Sequence, residues 1–244
     1  MHRLHVPRSE IRGGRAIVSG ESLAYLREVL RLRPGDPIEV FDGEGRVYRS
    51  RVERWVEDGA ELSVSAAEER PFAGVRITLA QGLPKGDKLE LIVQKSVELG
   101  ATRVVPVACQ RSVVKLDQRR AAERVTRWQR IADEAARQCG RADTMAVGPV
   151  ESFDAVVTRP RGPREVRLIL DEEERARRLR VALVDREASH VVLVGPEGGF
   201  ARDEVEAAKL HGFAPVTLGP RILRTETVAL AVLAVAQFTL GDLG

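Results

Sequence analysis

Asparagine is missing from the 244 residues, and cysteine, histidine and the aromatic residues are scarce: two Cys, four His, six Phe, two Trp and two Tyr. Each shortage excludes something. Cys109 and Cys139 stand far apart and form no CxxC, and His2, His5, His190 and His211 supply no ligand spacing, so the sequence predicts no metal. Two cysteines without a pattern read as ordinary reduced thiols. Long hydrophobic runs are also lacking. The longest, Val228 to Ala236, has nine residues, against the roughly 20 that a membrane span needs. No N-terminal segment joins basic residues, an apolar run and a small-residue cleavage site, so the expected location is the cytoplasm. Lysine is rare beside arginine, five against 34, a bias of base composition or heat adaptation that says nothing of function.

What remains is an ordinary globular composition, 43% hydrophobic and 31% charged, enough for one large or two smaller domains. The formal net charge is only +3, but it is unevenly spread. Up to Arg33 there are seven arginines (3, 8, 12, 15, 27, 31 and 33) against three glutamates, a local +4; from Ala101 to Arg141 ten Lys or Arg face four acids, a local +6. Two basic blocks suit a polyanion touched at two places. A solvated helix face reads the same way, and charge alone does not choose.

The first seventy residues read as a small β-rich unit. Arg3–Val6 and Arg15–Val18 are short strands, and Ser22–Leu32 has helical apolar spacing. Turns at Arg33-Pro34-Gly35-Asp36 and Asp42-Gly43-Glu44-Gly45 separate Ile38–Phe41 from the alternating Val47–Val52 and Glu61–Ser65. Short strands with close turn signals indicate a small barrel. The pattern breaks around 68–73. Beyond it, continuous apolar strands (75–80, 103–108, 166–170, 191–194, 215–218) alternate with helices (88–99, 117–139, 203–211, 226–240). Such strands predict a parallel sheet covered on both faces. The expected domains are therefore 1–70 and 74–244.

Two loops carry the chemistry. Gly195-Pro196-Glu197-Gly198-Gly199-Phe200 follows one apolar strand, and Leu218-Gly219-Pro220-Arg221-Ile222-Leu223-Arg224-Thr225-Glu226-Thr227 follows another. Beyond the carboxyl ends of parallel strands, glycine lets backbone amides and carbonyls approach a ligand closely. Neither loop fits GxGxxG, and GxxxxGK[ST] is absent; Gly82-Leu83-Pro84-Lys85-Gly86-Asp87-Lys88 resembles a phosphate loop without its spacing. That argues against a nucleotide-dependent enzyme of another kind. Each polar residue also has a plain structural reading. Lys95 and Glu98 could be a surface pair, Gln138 and Arg141 could cap a helix, Thr225 suits an N-cap, and Trp128 with Arg124, Arg127 and Arg130 reads as core plus solvated face.

These loops resemble those of the knotted SPOUT RNA methyltransferases, and more closely the family that methylates N3 of a uridine in small-subunit (16S) ribosomal RNA. Gln94-Lys95-Ser96-Val97-Glu98-Leu99-Gly100, Gln138-Cys139-Gly140-Arg141, Gly241-Asp242-Leu243-Gly244, Pro34-Gly35-Asp36 and Phe41-Asp42-Gly43 extend the likeness over nearly the whole chain. Arg137 departs from it where the family often has an acid, and Asp171-Glu172 where His or Pro is common. The resemblance implies an α/β fold: a PUA-like RNA-binding β-barrel, then a mostly parallel SPOUT domain with a C-terminal trefoil knot. It implies S-adenosylmethionine as cofactor, held by Leu170, Val194, Gly195, Pro196, Glu197, Gly198, Gly199, Leu218, Gly219, Pro220, Ile222, Leu223, Arg224 and Thr227. It implies catalytic roles for Arg224 and for Glu226 or Glu197, a 16S rRNA or small-subunit substrate, and a homodimer joined through the C-terminal helix. With the charge pattern, it marks Arg3, Arg8, Arg12, Arg15, Arg111 and Arg141 as RNA contacts. A non-catalytic RNA-binding assembly protein of the same fold is the alternative.

Overall fold

Period-two alternation places strands wherever apolar residues recur on one face. In the computed structural model, which describes residues 2–244, the first of them are β1 (Arg3–His5), β2 (Ile11–Arg12) and β3 (Arg15–Val18). A short helix α1 (Gly20–Ala24) runs on into a wider turn through Val29. Then come β4 (Pro37–Phe41), β5 (Arg46–Val56) and β6 (Gly59–Glu69). They form one six-stranded sheet in the order β1-β4-β5-β6-β3-β2, antiparallel except that β1 runs parallel to β4. Register shifts at Tyr48/Ser50 and Val52/Arg54 bend the two long strands. Leu4, Val18, Leu26, Ile38, Val40 and Leu62 fill the core.

Clustering of contacts divides the chain into two units, one comprising the chain up to Phe72 together with Ala136–Thr144, the other Ala73–Ala135 with Met145–Gly244. Within the first unit Arg3 is a structural residue. Its Nε donates to Glu39 Oε1 at 2.6 Å, its guanidinium lies 4.7 Å from the Phe41 ring centroid, and its other nitrogens donate to the carbonyls of Ala136, Arg137 and Arg141. Arg141 pairs with Asp143 at 2.6 Å and covers the Phe72 ring. Their side chains are 12% and 11% exposed. Arg3 and Arg141, expected from the sequence to contact RNA, are engaged within this unit. A desolvated guanidinium already matched to a carboxylate has no free charge to offer a phosphate. Arg8, Arg12 and Arg15 remain exposed.

In the second unit β7 (Ile77–Gly82), α2 (Lys88–Glu98), β8 (Arg103–Ala108) and α3 (Gln118–Cys139) come first, α3 crossing into the first unit at its end. Asp117 Oδ1 accepts from the Arg120 N–H at 2.9 Å, the acidic start that the sequence suggests. Next are β9 (Ala146–Val147), β10 (Glu151–Ser152), α4 (Phe153–Val157), β11 (Glu165–Leu170) and α5 (Leu179–Ala182). The chain closes with β12 (Ser189–Val194), α6 (Arg202–Leu210), β13 (Ala214–Val216) and α7 (Thr225–Leu240). The seven-stranded sheet has the order β10-β8-β7-β12-β11-β13, with β9 beside β8, and all its pairs are parallel. One face carries α4 and α6, packed through Val105, Ile169, Leu193, Phe153, Val205 and Phe213. Helix α7 packs on β7, β12 and α2. No helix among the described residues is long and apolar enough to cross a membrane.

Buried Gln237 on α7 ties this unit together. Its Oε1 accepts from the Val75 N–H at 3.1 Å, and its Nε2 donates to the carbonyls of Val75 at 3.0 Å and Gly100 at 2.7 Å. Trp128 is buried while Arg124, Arg127 and Arg130 lie on the exposed side of α3, core plus solvated face. Lys95 and Glu98 form the surface pair at 2.8 Å.

Candidate functional site

Strands β12, β11 and β13 are neighbours, all parallel, so the three loops that leave their carboxyl ends emerge side by side. Those loops span 171–178, 195–200 and 217–224. They surround a cavity of about 670 Å³, a size suited to a small organic ligand. Its walls include Leu170, Val194, Gly195, Pro196, Glu197, Gly199, Leu218, Gly219, Pro220, Ile222, Leu223 and Arg224. Gly198 and Thr227 do not line it. Lys88, Asp171, Glu172, Glu173, Arg175, Phe200, Thr217, Arg221, Thr225 and Val228 do, none of which the sequence analysis assigns to the cofactor.

Backbone geometry explains the glycines here. Gly199 sits at φ +66° and donates its N–H to the Pro196 carbonyl at 3.0 Å, closing a tight turn. A Cβ on Gly195 would lie 3.1 Å from the Gly199 backbone, so the loop folds back on itself with no space for a side chain. Phe200 then leaves the loop for the core, 5.7 Å from the Phe153 ring. Buried Glu204 accepts from the N–H groups of Ala201 and Gln110, both at 2.9 Å, which fixes the loop's exit. Arg111 Nη1 donates to the Gly198 carbonyl at 2.9 Å, so this arginine braces the loop from outside while staying exposed.

The 217–224 loop is anchored differently. Thr217 Oγ1 accepts from the Gly219 N–H at 3.2 Å, and Thr217 and Arg178 bridge it to the 171–178 loop. That third loop is held to α6, where Arg202 donates both terminal nitrogens to Asp171 at 3.0 Å. Burial would raise the Asp171 carboxyl, but this bidentate fork outweighs it and keeps the group below its ordinary range.

Charge within the cavity is arranged around Lys88. Its Nζ lies 2.9 Å from Glu197 Oε1 and 3.5 Å from Glu226 Oε2. The Lys85 N–H donates to both Glu197 oxygens, at 3.1 and 3.3 Å. Burial pushes the Glu197 carboxyl up, but the Lys88 ammonium and the amides of Glu197 and Lys85 prevail, so it is held below its usual range. The hydrogen bond to Glu197 in turn raises Lys88. Glu197 is thus a weak base with its lone pairs engaged. Glu226 differs: its buried Oε2 accepts no hydrogen bond among the described residues, and the Lys88 contact is a long electrostatic one. Arg221 and Arg224 are exposed, line the cavity and pair with no acid among the described residues.

Thr225 is not the N-cap. Arg224 occupies that position with extended φ −67° and ψ 151°, and Thr225 begins the helix with its side chain buried. Its hydroxyl donates to the Gly195 carbonyl at 2.6 Å and accepts from Gln81 Nε2 at 2.9 Å. Two side chains that the sequence reading missed, Gln81 and Lys88, therefore join β7 and α2 to the loops. A signal was present: Gly82 to Lys88 leaves β7, the strand next to β12, at the same edge of the sheet.

Both sulfonium and ammonium groups are cations, and the cavity presents Asp171, Glu172, Glu173 and Glu197 beside glycine-lined backbone. This donor set fits S-adenosylmethionine. No group of three or more His, Cys, Asp or Glu among the described residues is placed to hold a metal ion.

Comparison with known proteins agrees with this geometry. Residues 71–237 match the RNA methyltransferase domain family and residues 18–55 the RNA methyltransferase PUA domain. The chain is 33% identical over 227 residues to ribosomal RNA small subunit methyltransferase E of Bacillus subtilis strain 168, covering 91% of this chain and 89% of that protein. It is 31% identical over 237 residues to the protein of that name from Aquifex aeolicus, covering 95% and 98%. The crystal structure of ribosomal RNA small subunit methyltransferase E from Neisseria gonorrhoeae bound to S-adenosyl methionine superposes with a TM-score of 0.89 at 33% identity, covering all of both chains. A parallel sheet whose glycine loops enclose one cavity, a PUA domain before it and this likeness along nearly the full length place the chain in the ribosomal RNA small subunit methyltransferase E family.

Proposed function

We propose that this protein is an S-adenosylmethionine-dependent methyltransferase acting on N3 of a uridine in small-subunit (16S) ribosomal RNA. The observation that carries the reading is the cavity at the ends of β11, β12 and β13, with acids in its walls and two arginines that pair with no acid among the described residues. The Neisseria relative was solved with S-adenosyl methionine bound. When bound, this cofactor supplies a methyl group activated by sulfonium.

The chain's own residues account for the rest. Gly195–Gly199 and Leu218–Leu223 hold the adenosine part against backbone, with Leu170 closing the third side. The acidic walls suit the cofactor's cationic groups. Uracil N3 becomes nucleophilic only as its proton leaves, so negative charge grows on the ring. Arg224, exposed and unpaired, offsets that charge or grips the neighbouring phosphate, and Arg221 is placed to assist. Glu226, next to Arg224 and with an Oε2 that accepts no hydrogen bond among the described residues, is assigned the proton in preference to Glu197, whose oxygens are engaged. Glu197, gripped by Lys88, organises the loop instead. Arg8, Arg12, Arg15 and Arg111 remain candidates for phosphate contact.

The test combines mass spectrometry of rRNA with calorimetry. Deleting the gene should remove one methyl from a uridine of the small subunit, and the purified protein should restore it. Arg224→Ala should lower the methylation rate about 100-fold, far more than it weakens cofactor affinity. Full activity in that variant would remove Arg224 from the mechanism.

A homodimer through α7 belongs to the same reading, as do the trefoil knot and a cytoplasmic location. One side of α7 is buried in its own unit, yet Phe238 is 70% exposed and Val228, Leu230, Ala231, Ala234 and Val235 are half-buried. An apolar face of that kind suits a second copy. Light scattering at micromolar concentration should give twice the chain mass, and a monomer would count against this surface.

A further inference from the structure

Gln81 ends β7 and is completely buried. Its Nε2 donates to Thr225 Oγ1 at 2.9 Å, to the Gly82 carbonyl at 3.0 Å and to the Gly195 carbonyl at 3.3 Å. The Thr225 hydroxyl spends its one proton on the Gly195 carbonyl, so the direction is fixed: amide to hydroxyl to carbonyl. Bonds in such a chain polarise one another. Gly195 thus receives two side-chain donors from elements outside its own loop, one from β7 and one from α7.

We propose that Gln81, acting through Thr225, is a positioning residue that sets the first glycine loop against the start of α7, and so fixes the width of the cofactor cavity. This rests on the function proposed above. An unused atom supports it. Gln81 Oε1 is buried and accepts no hydrogen bond among the described residues. A side chain kept only for packing would not leave an acceptor unsatisfied, since an apolar one of similar shape fills the space without that penalty. The amide is retained for where it puts Gly195, not for stability. Gln81 itself does not line the cavity, so its effect on a ligand must pass through Thr225 or Gly195, which do.

The experiment uses the full-length protein with Gln81→Leu, Thr225→Val, the double variant and Thr225→Ser. Three quantities are read: melting temperature, deuterium exchange of residues 195–200 without ligand, and S-adenosylmethionine affinity by calorimetry. Gln81→Leu, which takes a donor from the Gly82 and Gly195 carbonyls, should lower the melting temperature only slightly, speed exchange in the loop, and weaken affinity by about 10-fold or more. Thr225→Val should do the same. The double variant should be no worse than the poorer single, because both break one chain of bonds. Thr225→Ser, which keeps the hydroxyl, should match the wild type. Unchanged loop exchange in Gln81→Leu, or a lower melting temperature with wild-type affinity, would overturn the proposal. If the wild-type protein itself binds no S-adenosylmethionine, the proposed function fails, while exchange in the unliganded variants still decides the role of Gln81.

Discussion

Gly82→Ala should cost the protein about 100-fold in S-adenosylmethionine-dependent turnover while the fold survives. A Cβ at this position would lie 2.5 Å from Pro196 Cδ and 2.6 Å from Pro196 N, deep inside van der Waals contact. Neither a proline ring nor backbone can swing aside. The Gly195-Pro196 segment must shift bodily, and a displacement approaching 1 Å in a site that aligns two reactants is costly on that scale. Gly86, four residues on, supplies the control. It needs glycine for another reason, φ +62°, and has no atom within 4 Å of its Cβ position. Gly86→Ala should therefore lose stability of about 1–2 kcal/mol without touching cofactor binding. Calorimetry and single-turnover kinetics on both variants check the pair. Equal losses of affinity would show that close approach at Gly82 is not what matters.

The largest stability effect is expected at Gln237. Replacing it with leucine strands the Val75 N–H, the Val75 carbonyl and the Gly100 carbonyl, each buried and each bonded only to this amide in the hydrogen bonds described above. At about 1–3 kcal/mol for each buried group left unsatisfied, a loss of at least about 3 kcal/mol follows. For a chain of this size that is roughly a 10 °C fall in melting temperature. Gly100 has no slack either, since a Cβ there would lie 2.8 Å from Gln237 Nε2. Differential scanning calorimetry decides. A fall under about 1 kcal/mol would mean that water or neighbouring groups replace the lost partners.

Much of this fold is legible in the sequence because parallel strands buried on both faces are unbroken apolar runs. β8 occupies Arg103–Ala108 as expected, and β11, β12 and α7 begin within two residues of expectation. Short elements escape for a physical reason. β9 and β10 have two residues each and α5 has four, too few for any period to register. The loops were visible because glycine and proline punctuate strand ends. Their partners were not. Gln81 meets Thr225 across 144 positions of sequence and Lys88 meets Glu197 across 109, distances over which only the folded sheet brings residues together. Arg3 and Arg141 show the limit of charge counting. A basic block totals its arginines without telling which have found Glu39 or Asp143. Thr225 shows the limit of local rules, since a good capping residue sits one place too late and serves a neighbouring carbonyl instead.

The stretch Ala136–Thr144 returns to the N-terminal unit after the other unit has begun. Arg3 is partly satisfied by carbonyls from it, and the Gly45 N–H donates to Ala142. The N-terminal unit is thus discontinuous in the gene. Recombination at one junction near codon 72 cannot transplant it as a cassette, since the graft would arrive without the nine residues that its own arginine and glycine bind. Shuffling between relatives must carry both pieces of the N-terminal unit together.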